Sequence, residues 1–119
     1  ADDAWRDYEK SKGHTFKEAL NTYYARHVFK FDKYHLDHSR IGVLVAPTGR
    51  SGHLELGYIL GKDKPGYILV GQDPERFDVM YQFARGVYTT LSALCEGLRY
   101  FFPPPPSPLP PHEWKWWRR

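Results

Sequence analysis

Between Thr15 and Tyr34 the apolar residues recur three and four positions apart, at Phe16, Ala19, Leu20, Tyr23, Tyr24, Val28 and Phe31. That spacing lays one stripe along a helix and predicts a single long amphipathic helix. The pattern changes at Ile41, where residues 41 to 46, "IGVLVA", form an unbroken apolar run rich in β-branched side chains and closed by Pro47. A strand buried on both faces, as in a parallel sheet, has this pattern. A second such run, "GYILVG" at 66 to 71, follows Pro65. Between the two runs the pattern predicts a helix from about Ser51 to Leu60, ended by Gly61 in the left-handed conformation.

Helix, strand, loop, helix, strand is the rhythm of an α/β sheet, because parallel strands need crossover helices. Further on, "DPERFDVMYQFA" predicts a helix with Asp73 as cap and Pro74 at its first position. "GVY" at 86 to 88 reads as a short edge strand and "TLSALCEGLRYFF" as a last helix. The following "PPPPSPLPPHEWKWWRR" cannot continue a helix and favours an extended polyproline II conformation. The expected organisation is one domain over residues 1–102 and a disordered Pro/Trp-rich tail over 103–119.

Composition narrows the class. A chain of 119 residues has room for one domain with a modest core. The net charge is +3, but several positive charges fall in the last residues (Lys115, Arg118, Arg119), so the balance gives no reason to expect nucleic-acid binding. The one cysteine, Cys95, excludes an intramolecular disulfide and fits a reducing, cytoplasmic setting. It falls in an apolar helical pattern and is expected in the core. No run approaches the roughly 18 apolar residues of a membrane helix, and residues 1–14 show no signal-peptide pattern; a soluble protein with no membrane partner is expected. His27, His35, Asp37 and His38 lack a second cluster at ligand spacing and read as surface residues rather than a metal site.

The candidate chemistry lies after the first strand. Ligands of open α/β sheets bind beyond the carboxyl ends of strands, where loops enter helix N-termini. There Thr48, Gly49, Arg50, Ser51 and Gly52 set two glycines, two hydroxyls and a cation beside free helix N–H groups, a cradle for an anion or a sugar. No Gly-Lys-Ser/Thr follows at phosphate-loop spacing. His53 can contact a base or an anion, or face solvent. Glu55 has two readings. Acidic residues favour a first helical turn, and with Gly52 as cap Glu55 stands where a side chain folds back to the cap N–H. The same positive helix end can hold Glu55 ionised and aim it at a substrate, as a carboxylate nucleophile requires. Asp32, near the end of the long helix, meets the unfavourable end of the dipole, and a residue that breaks a local rule invites a functional explanation. Two convergent carboxylates can divide the cleavage of a glycosidic bond.

The run "FDKYHLDHSRIGVLVAPTGRSGHLELGYILGKDKPGYILV" resembles the nucleoside 2-deoxyribosyltransferase family and its relatives that hydrolyse nucleoside monophosphates at the N-glycosidic bond. The shared pattern is an aspartate on a helix, a hydrophobic strand, a short Gly/Ser loop, a Glu-Leu-Gly-Tyr helix and a following strand. The resemblance implies a single three-layer α/β domain, Rossmann/flavodoxin-like, with a mainly parallel sheet but without the family's first strand and its glycine loop. It implies Glu55 as the nucleophile that forms a glycosyl-enzyme intermediate and Asp32 as the residue that holds the sugar or assists the leaving base. Ser51, with Gly49 and Gly52, would contact the sugar and any phosphate. No metal or organic cofactor and a homodimer or larger homo-oligomer are implied as well. Arg40 departs from the pattern, standing where many relatives carry an aspartate. Two other classes remain open: a non-catalytic nucleotide-binding or truncated structural module of the same fold, and an adaptor that docks through the proline-rich tail.

Overall fold

A computed structural model describes residues 3–72, 74 and 77–103. Among the described residues the chain is an α/β protein with three strands, β1 (Gly42–Val45), β2 (Gly66–Leu69) and β3 (Gly86–Tyr88), that form one parallel sheet in the order β1-β2-β3. Three helices precede the sheet: α1 (Ala4–Ser11), α2 (Phe16–Leu20) and α3 (Tyr23–His38). Helix α4 (Arg50–Gly61) links β1 to β2, a short 3₁₀ turn at Val79–Phe83 precedes β3, and α5 (Leu91–Gly97) follows it.

The expected single helix from Thr15 to Tyr34 is two helices, α2 and α3, and the reason is local. The Thr15 hydroxyl accepts from the Glu18 N–H while the Glu18 carboxylate accepts from the Thr15 N–H, a reciprocal box that starts α2. Thr22 then donates its hydroxyl to the Ala19 carbonyl (2.7 Å) and accepts from the Ala25 N–H (3.4 Å), closing one helix and opening the next. The break re-phases the apolar stripe. Ala19 and Ala25 are buried, whereas Phe16, Leu20, Tyr23 and Phe31 are exposed. Helix α1, before the first predicted element, packs on α2 and α3. Its Glu9 carboxylate is buried and meets the His14 Nδ1 at 2.5 Å.

In the sheet, even-numbered residues of β1 and β2 face α4 and odd-numbered ones face the other side. Leu44 and Ile68 are opposite in register and pack with Leu56 of α4 as the core. Gly42 and Gly66 are also opposite. A Cβ on Gly66 would come within 2.7 Å of the Leu60 side chain and one on Gly42 within 3.1 Å of Ile59, so these glycines let α4 settle directly on both strands. On the other face the ring of Tyr67 meets those of Tyr88 and Phe101. Tyr88 lies against Gly97 of α5, where a Cβ would collide with its ring. The sheet is thus sandwiched between α4 and α5.

Three further expectations are corrected. Helix α4 does not stop before a left-handed Gly61; it includes Gly61, is capped by Lys62, and Asp63 takes the left-handed conformation (φ 60°). The N–H groups of Asp63 and Lys64 return to the carbonyls of Leu60 and Ile59, the double bond pattern of a Schellman end, which calls for positive φ at Asp63. Among the described residues of the predicted helix at 73–84, Val79–Phe83 form a 3₁₀ turn, which starts where the Asp78 carboxylate takes the Met80 N–H (2.8 Å). The proposed Asp73 cap lies outside the described residues, as does the tail from 104 onward. Cys95 is exposed rather than in the core, since its neighbour Leu94 holds the inward position of α5.

A polar cluster fixes the end of α3 against α4. Lys33 Nζ lies 2.7 Å from Asp37, the Tyr58 hydroxyl donates to the same carboxylate, and Lys64 Nζ donates to the Leu36 (3.1 Å) and Asp37 (2.8 Å) carbonyls. These bonds hold the Asp37 carboxyl down at about 2, through Lys33 first and Tyr58 second. They also set Leu36 and Ser39 beside β1.

Candidate functional site

The loop after β1 leads into α4 through Gly49, which caps the helix in an extended conformation with no side-chain hydrogen bond at the cap. Arg50, Ser51 and Gly52 are therefore the first helical residues, with N–H groups that have no intrahelical acceptor. A Cβ on Gly52 would sit 2.6 Å from Thr48 Oγ1, so a glycine at 52 allows Thr48 to lie across the helix start. With Gly49 rather than Gly52 as cap, Glu55 belongs to the second turn. The first turn contains no acid, and the expected capping role for Glu55 is overturned.

A cleft of about 360 Å³ runs along β1. Residues 41–45 line it from the strand, Gly52, Glu55, Leu56 and Ile59 from α4, Thr48 from the loop, and Leu36 and Ser39 from the end of α3; no residue of β2 takes part. Its volume is that of a small-molecule site. Glu55 is half-buried in this wall, and among the described residues its carboxylate has no hydrogen-bond or ion-pair partner. Thr48 adds a hydroxyl. The Ser39 hydroxyl donates to the His35 carbonyl (2.7 Å).

The other predicted site residues separate from this cleft. Asp32 is in the interior of α3, which runs on to His38, so it does not meet the end of the helix dipole and breaks no local rule. It is half-buried, but it is not part of the cleft wall. Leu36, one turn later, is the residue of α3 that reaches it. A two-carboxylate cleavage needs both carboxyl groups flanking the bond, within roughly 5 to 9.5 Å of each other, and the cleft wall supplies Glu55 alone. Gly49, Arg50 and Ser51 stay at the exposed helix start, outside the cleft.

His53 is committed elsewhere. Its Nδ1 is 2.9 Å from the Gly49 carbonyl and its Nε2 is 2.8 Å from the Tyr81 hydroxyl, with the two rings stacked. A carbonyl only accepts, so Nδ1 carries the proton and, in the neutral ring, Nε2 accepts from Tyr81. Both nitrogens are used, and the pair ties the start of α4 to the 3₁₀ turn. Tyr81, far along the chain, carried no sequence signal for this role. Ser39, which follows the last residue of α3, carried none either.

Among the described residues no three His, Cys, Asp or Glu side chains gather to hold a metal, and no helix is long and apolar enough to cross a membrane. Comparison of the chain with family models, curated proteins and solved structures found no match. The class defined by fold and site is a small parallel α/β protein with a carboxylate-bearing cleft along an outer strand.

Proposed function

We propose that this chain binds a nucleoside or nucleoside monophosphate along β1 and that Glu55 cleaves or transfers its N-glycosidic bond, in the manner of a Rossmann/flavodoxin-like nucleoside deoxyribosyltransferase or N-glycosidase. The observation that carries the reading is the unpartnered Glu55 carboxylate in the wall of the cleft. A carboxylate there can attack the anomeric carbon as the C–N bond breaks and the base departs with its electron pair, taking up a proton. Water or a second base then opens the glycosyl ester with retained configuration. The uncapped N–H groups of Arg50, Ser51 and Gly52 support an anionic substituent at the helix start, and Thr48 supports a sugar hydroxyl. Asp32, outside the cleft wall, does not act on the reacting bond in this reading. A reducing, cytoplasmic setting and a homo-oligomer belong to the same proposal.

The test uses the purified full chain with a panel of nucleosides and monophosphates and measures released base. Release that falls by roughly 10³-fold or more in Glu55→Gln supports the nucleophile. Absence of release from every substrate, or equal release from Glu55→Gln, sinks it. A second reading, a nucleotide-binding module without catalysis, is favoured by the separation of Asp32 and His53 from the cleft. It predicts saturable nucleotide binding with no base released.

A further inference from the structure

A second groove, of about 600 Å³, lies at β3, at the other side of the described sheet from β1. Phe77, Val79, Tyr81, Gln82, Arg85 and Val87 line much of it. Tyr81 packs on the core of Leu44, Leu56 and Ile68, and Val87 stands in register with Ile68, so the groove belongs to the α4 face of the sheet. Its apolar side chains are open to contact: Phe77 and Val79 are 77% and 70% exposed. Its donors are open too. Among the described residues neither the Arg85 guanidinium nor the Gln82 amide has a hydrogen-bond or ion-pair partner. The Asp78 carboxylate, the acid of the groove, accepts from the Met80 N–H (2.8 Å).

We propose that residues 103–111 of this chain, "PPPPSPLPP", dock in this groove as a polyproline II segment. Each proline offers a carbonyl acceptor and no N–H, and polyproline II leaves its carbonyls without internal partners. Such a segment is held by aromatic planes that take the proline rings and by side-chain donors that take the carbonyls. Phe77 and Tyr81 supply the first, and Gln82 and Arg85 the second.

The path of the chain selects its own tail as the occupant. Gly86, which borders the groove, is opposite Tyr67 in register, and the Phe101 ring lies against Tyr67 on the α5 face. Pro103 follows at once and is exposed. The chain therefore leaves the described fold beside the strand whose other face carries the groove. Rounding that strand takes on the order of 10 Å, the spacing of packed layers. Residues 103–111 extend roughly 28 Å as polyproline II, enough to cross and then lie along the groove. The tether makes docking intramolecular, at an effective concentration on the order of millimolar, so the tail occupies the groove ahead of a free proline-rich partner. The docking stands whether or not Glu55 cleaves a substrate.

The experiment places a nitroxide spin label in the tail of the full, isotope-labelled chain, through Ser107→Cys with the exposed Cys95→Ser, and reads amide line broadening by NMR against the chemically reduced label. The amides of residues 79–87 are expected to broaden, and those of β1, across the sheet, to stay sharp. Pro104→Ser, Pro105→Ser, Pro106→Ser and Pro108→Ser together keep the length of the tail but remove its polyproline II bias, and should abolish the broadening. Phe77→Ser combined with Arg85→Ala should do the same. Both side chains are exposed, and unchanged β1 and β2 resonances verify the fold. Broadening that is absent from residues 79–87, or that persists undiminished in either variant, overturns the proposal. So does equal broadening in a mixture where the spin-labelled chain carries no isotope and the isotope-labelled chain no spin label, because that reports docking between copies.

Discussion

Residues 41–103 and residues 3–39 solve the same problem in different ways. The sheet half buries large aliphatic side chains from distant parts of the chain: Leu44, Leu56 and Ile68 meet in one core, and Ile59 and Ile68 are almost fully enclosed. The helical arm buries Ala19, Ala25 and the Glu9 carboxylate, and leaves Phe16, Leu20, Tyr23, Phe29 and Phe31 exposed. The sheet half is therefore held by non-local apolar burial, worth roughly 25 cal/mol per Å². The arm is held by caps, by the Glu9–His14 contact and by the Lys33–Asp37–Tyr58 junction with α4. The contrast teaches that the arm belongs to the low-stability end of the molecule, where local opening precedes global unfolding. It also means that the cleft is built on the firm half, with one wall, Leu36 and Ser39, borrowed from the arm.

The largest expected effect tests the firm half. Ile68→Ala should cost about 2–5 kcal/mol of global stability, because Ile68 is 1% exposed and the site has little room to collapse. Leu20→Ala in the arm, at a half-exposed site, should cost under about 1 kcal/mol. Urea unfolding measures both. Comparable losses at the two sites would break the comparison.

The next effect falls in the arm. His14→Ala removes the partner of the buried Glu9 carboxylate and should cost about 1–3 kcal/mol. Hydrogen exchange should show the loss in α1 and α2, with β1 and β2 amides keeping their protection. Equal loss of protection in the sheet would mean that arm and sheet unfold as one unit.

This division explains how far the sequence could be read. β1, α4, β2 and β3 were legible because their apolar runs are bounded by proline and glycine, and the parallel pairing follows from the crossover helix. The cleft was half legible: Glu55 and Gly52 line it, and the loop containing Thr48 was marked, but Asp32 and His53 do not line it. Asp32 is not at a helix end because α3 runs on to His38, past the end the apolar stripe marks. The contact of His53 with Tyr81 was not legible because Tyr81 is distant in sequence. Glu55 was put in the wrong turn because Gly49 and Gly52 are equally plausible caps until Thr48 is seen against Gly52. The arm was least legible, since two threonine hydroxyls, rather than the apolar stripe, decide where its helices begin.

Thr22→Ala tests that last point at a smaller scale. It deletes the hydroxyl that accepts from Ala25 and donates to Ala19, and should cost about 1 kcal/mol. The loss should appear as faster amide exchange in the first turn of α3, with the protection of β2 unchanged. Unchanged exchange there would show that the break between α2 and α3 is imposed by packing rather than by the cap.

The smallest effect is the pH dependence of the junction between the two halves. Asp37 has its folded pKa lowered to about 2 from an ordinary 3.8, by the hydrogen bond from Lys33 first and that from Tyr58 second. A carboxyl group with a depressed folded pKa stabilises above its unfolded pKa and loses that contribution as pH falls through the folded one. The junction should therefore be at full strength above about pH 4 and weaken from there down to about pH 2. Both charged groups are open to solvent, so added salt should shrink the effect. The measurement is a carboxyl NMR titration of Asp37 together with amide exchange at the end of α3. Asp37→Asn should flatten the exchange profile in that window and leave the sheet core as stable as before. An Asp37 titration near 3.8, in a chain whose α3 end is equally protected at pH 5 and pH 2.5, would show that Lys64, through the Leu36 and Asp37 carbonyls, holds the arm without help from the carboxylate.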